Sequence, residues 1–333
     1  MIGALVSVVL IFFATKALIG GSESGSATTD NPDQILPESG SAPIQTIEEV
    51  LASVQVYVSS EEFGPATAIL KGAIGRYPTD PDLRFALGDL YMMTKEYPLA
   101  YEQYVAAIEH NRSEGSGIDS KSQFTAGTLA NTIGQPELAK VHYKLAMEGD
   151  PQNADYPLYL ANIQFKLNEL DAAKASLAIA GRLAPDRAMV WATWAKIALR
   201  QNNLPIAIQQ IQKVRKLEPR VVDWIVLEAN IRKRDGNPER AIELLSALPD
   251  DSLDDPESIR LLAESYGMIG RPGDAASRMV DYANRHSDNA QAAFDAAVWL
   301  ERAKERGDAV LWGRRARDLG HPRAQGWLDS LPD

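Results

Sequence analysis

Beyond Ile47 the apolar positions recur at a helical spacing, and that spacing itself repeats every 34 residues. The units of this frame begin at Ile47, Pro81, Ser120, Ala154, Ala188, Val222, Pro256 and Ala290, with one five-residue insertion in the stretch RSEGSGIDS from Arg112 to Ser120. Position 20 is then Ala66, Ala100, Ala139, Ala173, Ala207, Ala241, Ala275 and Ala309. With roughly one residue in seven alanine, such a column has chance odds on the order of 10⁻⁷. Position 8 is again small, with Val54, Gly88, Gly127, Ala161, Ala195, Ala229, Ala263 and Ala297. Two columns without bulk let two helices cross closely. Position 24 supplies the bulk between them in Leu70, Tyr104, Tyr143, Leu177, Ile211, Leu245 and Met279, and Gly313 departs from it.

The same frame places the helix ends. Position 15 is Gly134, Asn168, Asn202, Gly236 and Gly270 in five units, the residues that tolerate the left-handed turn closing a helix. Pro136, Pro238 and Pro272 follow two residues later, where a missing N–H costs nothing at a helix start. At position 32, Pro78, Pro151, Pro185 and Pro219 end the second helix. Each unit is predicted to be a pair of antiparallel helices that must stack on its neighbours to bury both faces.

These residues resemble the tetratricopeptide repeat (TPR) family, whose pattern has small residues at 8, 20 and 27, a bulky one at 24 and Pro at 32. Position 27 agrees in Ala73, Ala107, Ala146, Ala180 and Ala316 and departs in Val214, Leu248 and Tyr282. Arg112, Leu253, Ser287 and His321 stand where Pro is usual, and Glu228 occupies the usually apolar position 7. The last unit, from Ala309 to Leu328, is similar to a Sel1-type repeat. The resemblance implies an all-α, right-handed α-solenoid of about eight helix hairpins, at 47–80, 81–114, 120–153, 154–187, 188–221, 222–255, 256–289 and 290–323, with residues 324–333 as a C-terminal cap.

The chain before the repeats is of another kind. Residues 1–19 are apolar on every helical face from Ile2 to Ile19 apart from Lys16, a length that just spans a hydrocarbon core of roughly twenty helical residues. A single-pass membrane anchor, of the type found on bacterial membrane-anchored repeat proteins, is favoured over a cleaved signal peptide, because neither a basic leader nor an A-x-A site accompanies it. Residues 20–46, rich in Gly, Ser, Thr and Pro, read as a disordered linker. No Lys or Arg lies between Lys16 and Lys71, which favours an extracytoplasmic, periplasmic repeat domain.

Charge narrows the chemistry. Lys+Arg 34 against Asp+Glu 45 gives −11, which argues against broad attachment to nucleic acid, and the absence of Cys removes thiol chemistry and disulfides. The four histidines fall in different units without an i, i+4 pair, so no metal is expected from them. Asp250, Asp251, Asp254, Asp255 and Glu257 lack the central glycine of a calcium loop and read as helix capping. Trp191, Trp194 and Trp224 at helical spacing read as packing rather than a ligand cage. Neither a phosphate loop nor a nucleophile elbow occurs, so no catalytic residue, cofactor or enzyme activity is expected.

The resemblance further implies that first helices line a concave groove through positions 2, 5, 9, 12 and 13. In the second and third units these positions include Phe85, Met92, Met93, Phe124, Thr128 and Asn131. In the fourth to sixth they include Asn162, Phe165, Lys166, Lys196, Arg200, Asn230, Lys233 and Arg234. Amides satisfy a peptide backbone on both sides and cations take carboxylates, so the expected partner is a protein segment with acidic groups or a free C-terminus. The expected function is a membrane-tethered protein-interaction scaffold of the cell envelope, in cytochrome c assembly or secretion. The alternatives are a self-assembling structural subunit or an accessory repeat domain regulating a separate enzyme.

Overall fold

The computed structural model describes residues 46–113, 115 and 117–331. The expected anchor and the linker up to residue 45 lie outside the described residues, and no helix among those described is long and apolar enough to cross a membrane. Thr46, placed in the linker by sequence, caps the first helix instead: its side chain accepts from Glu49 N–H while the Glu49 carboxylate accepts from Thr46 N–H.

The described residues form seventeen α-helices and one short 3₁₀ turn, with no strand. First helices are α1 (Ile47–Ser59), α3 (Pro81–Met93), α5 (Ser120–Thr132), α7 (Asp155–Lys166), α9 (Ala188–Arg200), α11 (Val222–Arg234), α13 (Pro256–Met268) and α15 (Ala290–Arg302). Second helices are α2 (Phe63–Arg76), α4 (Tyr97–Ser113), α6 (Pro136–Gly149), α8 (Leu170–Leu183), α10 (Leu204–Leu217), α12 (Pro238–Ser246), α14 (Pro272–Arg285) and α16 (Arg306–Asp318), and α17 (Ala324–Ser330) follows. Every first helix ends at frame position 13 and every second helix starts at position 17.

That regularity has a backbone cause. All eight residues at position 15 have positive φ: Gly134, Asn168, Asn202, Gly236 and Gly270, and also Glu61, Lys95 and Lys304, whose side chains carry no such signal. The next N–H then reaches back to the carbonyl five residues earlier, as in Glu96 to Tyr91 and Gln135 to Ala130, both 2.8 Å. This is the Schellman closure, repeated in each unit, and it turns the chain into the second helix.

The described residues divide into two compact units, with the boundary between residues 169 and 170. In the first, α1 to α6 form three hairpins that pack in chain order, and α7 packs on α6. In the second, α9 to α16 form four hairpins in the same order, with α8 packed on α9 and α17 on α16. All eight alanines at position 20 have zero exposure, and Leu70, Leu177, Ile211, Leu245 and Met279 at position 24 are equally buried. Each of the larger side chains at position 24 contributes roughly 1.5–3 kcal/mol by leaving water.

The departures have local reasons. Gly313 lacks bulk because Trp327 and Leu328 of α17 fill its place; a Cβ there would stand 2.5 Å from the Trp327 ring. α12 stops early, before Pro249, and Leu253 of the following 3₁₀ turn (Asp250–Leu253) enters the core at 3% exposure. Glu228, at the usually apolar position 7, pairs with Arg215 at 3.1 Å and Arg232 at 3.6 Å, so its buried charge is compensated. Asp255 caps α13 through the N–H groups of Glu257 and Ser258.

Candidate peptide-binding face

In the first unit, α5 and α7 bring together several of the residues expected at a groove. Phe124 is half-buried in an aromatic cluster, 4.9 Å edge-on from Tyr159 and 5.3 Å from Tyr156. One repeat later along the same face, the Lys166 ammonium donates to the Asn131 side-chain carbonyl at 3.2 Å. Asn162 lies half-buried on α7, one turn before Lys166. Tyr143 sits beneath and donates its hydroxyl to Thr128 at 3.2 Å. The result is an aromatic floor beside amide and cationic groups.

Phe85 and Met92 correct the sequence expectation: they are core, 5% and 8% exposed, rather than groove-lining. α3 is buried on most of its circumference, and the Phe85 ring lies 5.3 Å from Tyr104. Only Met93, at the end of that helix, stays exposed. Asp89, on the same helix, is equally buried and accepts a hydrogen bond from the Tyr104 hydroxyl. Burial lifts its pKa to about 7, against the lowering effect of that hydrogen bond. The sequence reading passed over Asp89; its only signal was a carboxylate at position 9 beside Gly88.

In the second unit, Lys196 and Arg200 are exposed on α9, and the Lys196 ammonium lies 6.0 Å from the Trp224 ring. Asn230 is half-buried on α11. Lys233 forms an ion pair with Glu264 of α13, and Arg234 donates to the Asn202 side chain at 3.1 Å. Arg260 and Asp295 continue the pattern at 2.7 Å. These polar groups therefore brace one repeat against the next as well as facing water, and Lys233 is committed to a carboxylate of its own chain. Trp224 is core at 5% exposure; Trp191 packs over Gly181, donates to the Pro185 carbonyl at 2.8 Å and carries Lys213 on its face at 4.0 Å. No group of His, Asp or Glu able to hold a metal occurs among the described residues.

Residues 134–197 match the tetratricopeptide repeat family model. No curated protein sequence matches the chain. Among solved structures, the Cut9–Hcn1 hetero-tetramer of APC/C is similar with a TM-score of 0.54 at 12% identity, covering 86% of this chain and 56% of that one. PilW, a widely conserved type IV pilus biogenesis factor, gives 0.52 at 17% identity over 65% of this chain and 97% of its own. PilF of Pseudomonas aeruginosa gives 0.51 at 16% identity over 65% and 96%. At these identities the likeness is one of fold: the described residues form α-helix hairpins without a strand, similar over residues 134–197 to the tetratricopeptide repeat family.

Proposed function

We propose that the protein is a protein-interaction scaffold whose first-helix faces hold segments of a partner. The observation that carries this lies in the second unit, where Lys196 and Arg200 are exposed on α9 and the amide of Asn230 is half-buried at position 9 of α11. Cations so placed make charge-assisted bonds to acidic side chains or a free C-terminal carboxylate, and amides take the backbone between them. The aromatic floor of the first unit suits an apolar side chain. Fold alone does not assign function, and this reading rests on the chemistry of the faces.

Residues 2–19 tether the scaffold to a membrane, residues 20–45 give it reach, and the repeats work on the extracytoplasmic side of a bacterial envelope, in an assembly or secretion step. A photoreactive residue at Asn230 of the full-length membrane-bound protein tests the face. Partner crosslinking is expected, and Lys196→Glu is expected to reduce it about tenfold or more with helicity unchanged. Crosslinking insensitive to Lys196→Glu refutes the cationic strip, and an export reporter fused after Asp333 decides the sidedness.

A further inference from the structure

Second helices turn their outer surface to water and are expected to be polar there. Single exposed apolar residues occur on α4 (Leu99) and α16 (Leu311), and α10 exposes Ile206 and Leu217; α6 differs in that its exposed pair continues into a cavity. Leu138 and Val141 are 41% and 51% exposed, and with half-buried Leu145 they form a stripe at i, i+3 and i+7 along one face. Leu145 also lines a cavity of about 320 Å³, whose other apolar walls are Val105 and Ile108 of α4 and the exposed Ile118. The cavity lies where the five-residue insertion interrupts the repeat and α4 runs on to Ser113. Its floor is polar but satisfied: His142 bonds through Nδ1 to the Gln123 side-chain oxygen at 2.8 Å and through Nε2 to the Tyr101 hydroxyl at 3.1 Å. Burial holds the His142 pKa below its usual value, consistent with a neutral ring in that network. With both His142 nitrogens already bonded and Val105, Ile108, Ile118 and Leu145 as walls, the group seated at the floor is apolar, while the charged residues stand at the rim.

The rim says which apolar occupant. Around the cavity and on the neighbouring second helix stand Glu102, Glu109 and Asp119 against Arg112 and Lys121, with Asp119 also capping α5 and Glu102 at the frame position that Val141 holds one repeat later. On α6, Lys144 already faces Glu148 at 3.9 Å, and Lys140 is shared between Glu137 and Glu169. The balance of these charges is acidic, with Glu102 and Glu109 its carriers on α4. A second copy of this chain, at −11, and an anionic lipid surface are both repelled by it. We propose that the α4–α6 face is a docking site for a basic amphipathic helix of a partner protein, which lays apolar residues on Leu138 and Val141 and seats one bulky apolar side chain in the cavity. Helix-in-groove recognition uses this i, i+3, i+7 register, and about 300 Å³ is the lower end of pockets that take such anchors.

The probe is a fluorescent helical peptide of roughly 18 residues with Leu at i, i+3 and i+7 and Lys flanks, titrated into the full chain and followed by anisotropy. Binding is expected to weaken about tenfold or more with Val141→Asp, with an anchor Leu→Ala change in the peptide, and with Glu in place of the Lys flanks. Lys196→Glu is expected to leave it unchanged, which separates this face from the first-helix faces. Helicity of Val141→Asp by circular dichroism stays as in the parent because the side chain is already exposed. Equal binding of Lys- and Glu-flanked peptides, or indifference to Val141→Asp, overturns the proposal. So does a concentration-dependent dimer in light scattering that Val141→Asp abolishes, which would make the occupant a second copy.

Discussion

At the scale of single residues, two hairpins use a linked substitution that the others do not. Gly88 and Gly127 hold position 8, where a Cβ would lie 2.7 Å from the Tyr104 ring and 2.8 Å from the Tyr143 ring. The missing side chain admits a tyrosine at position 24, and the tyrosine hydroxyl reaches the polar residue at position 9, Asp89 or Thr128. Where position 8 is alanine, position 24 is never aromatic: it is Leu177, Ile211, Leu245 and Met279 in four repeats and Gly313 in the last. Gly127→Ala alone is therefore expected to cost about 1–3 kcal/mol through overpacking, and Tyr143→Leu in the same chain to recover most of it, read by urea denaturation of the four variants. Asp89 has a pH signature. Its carboxyl titrates near 3.8 when unfolded and near 7 when folded, so the folded state holds the extra proton between those values. The stability linked to that proton is complete below the lower pKa and is lost as pH rises through the upper one. Urea melts at about pH 5 and about pH 8 are expected to show a fall in stability that Asp89→Asn reduces; an equal fall in both proteins removes Asp89 as the cause.

At the scale of elements, the frame positions of helix starts and stops were legible in the sequence because Gly, Asn and Pro act on their own backbone. Glu61, Lys95 and Lys304 take the same left-handed turn without that chemistry, since the packing of the flanking helices overrides a local preference costing roughly 1–2 kcal/mol. The sixth and eighth repeats were not legible for a different reason. In the eighth, Gly313 leaves a gap that Trp327 of α17 fills, and in the sixth, where α12 stops early, Leu253 of the 3₁₀ turn enters the core. Trp327 also meets Phe294 edge-on at 5.9 Å, so α17 closes the final hairpin. Trp327→Ala is expected to destabilise that hairpin by about 2–4 kcal/mol, and Gly313→Leu in the same background to restore part of the loss. Hydrogen exchange of α15 and α16 checks both, and unaltered protection in Trp327→Ala would show that α17 does not act as a lid on the core.

At the scale of the whole molecule, the hairpins within each compact unit pack in chain order, so damage in one unit is expected to stay there. Leu70→Ala, at a fully buried position, is expected to cost about 2–5 kcal/mol and to raise amide exchange in α1 to α4 while α13 to α16 keep theirs. Uniform loss of protection would mean a single cooperative fold instead. The sequence by itself determined the helix-hairpin architecture, because a 34-residue column of small residues records helix crossings directly. Which first-helix positions were expected at a groove came from the resemblance to the repeat family rather than from the periodicity. Tertiary structure alone decided what those side chains do: Phe85 and Met92 went into the core, Lys233 to Glu264, Lys166 to Asn131. Burial and pairing are set by atoms one repeat away or on the opposite helix, and a column of residue types along the chain holds no record of which of two exposed-looking groups will find a partner there.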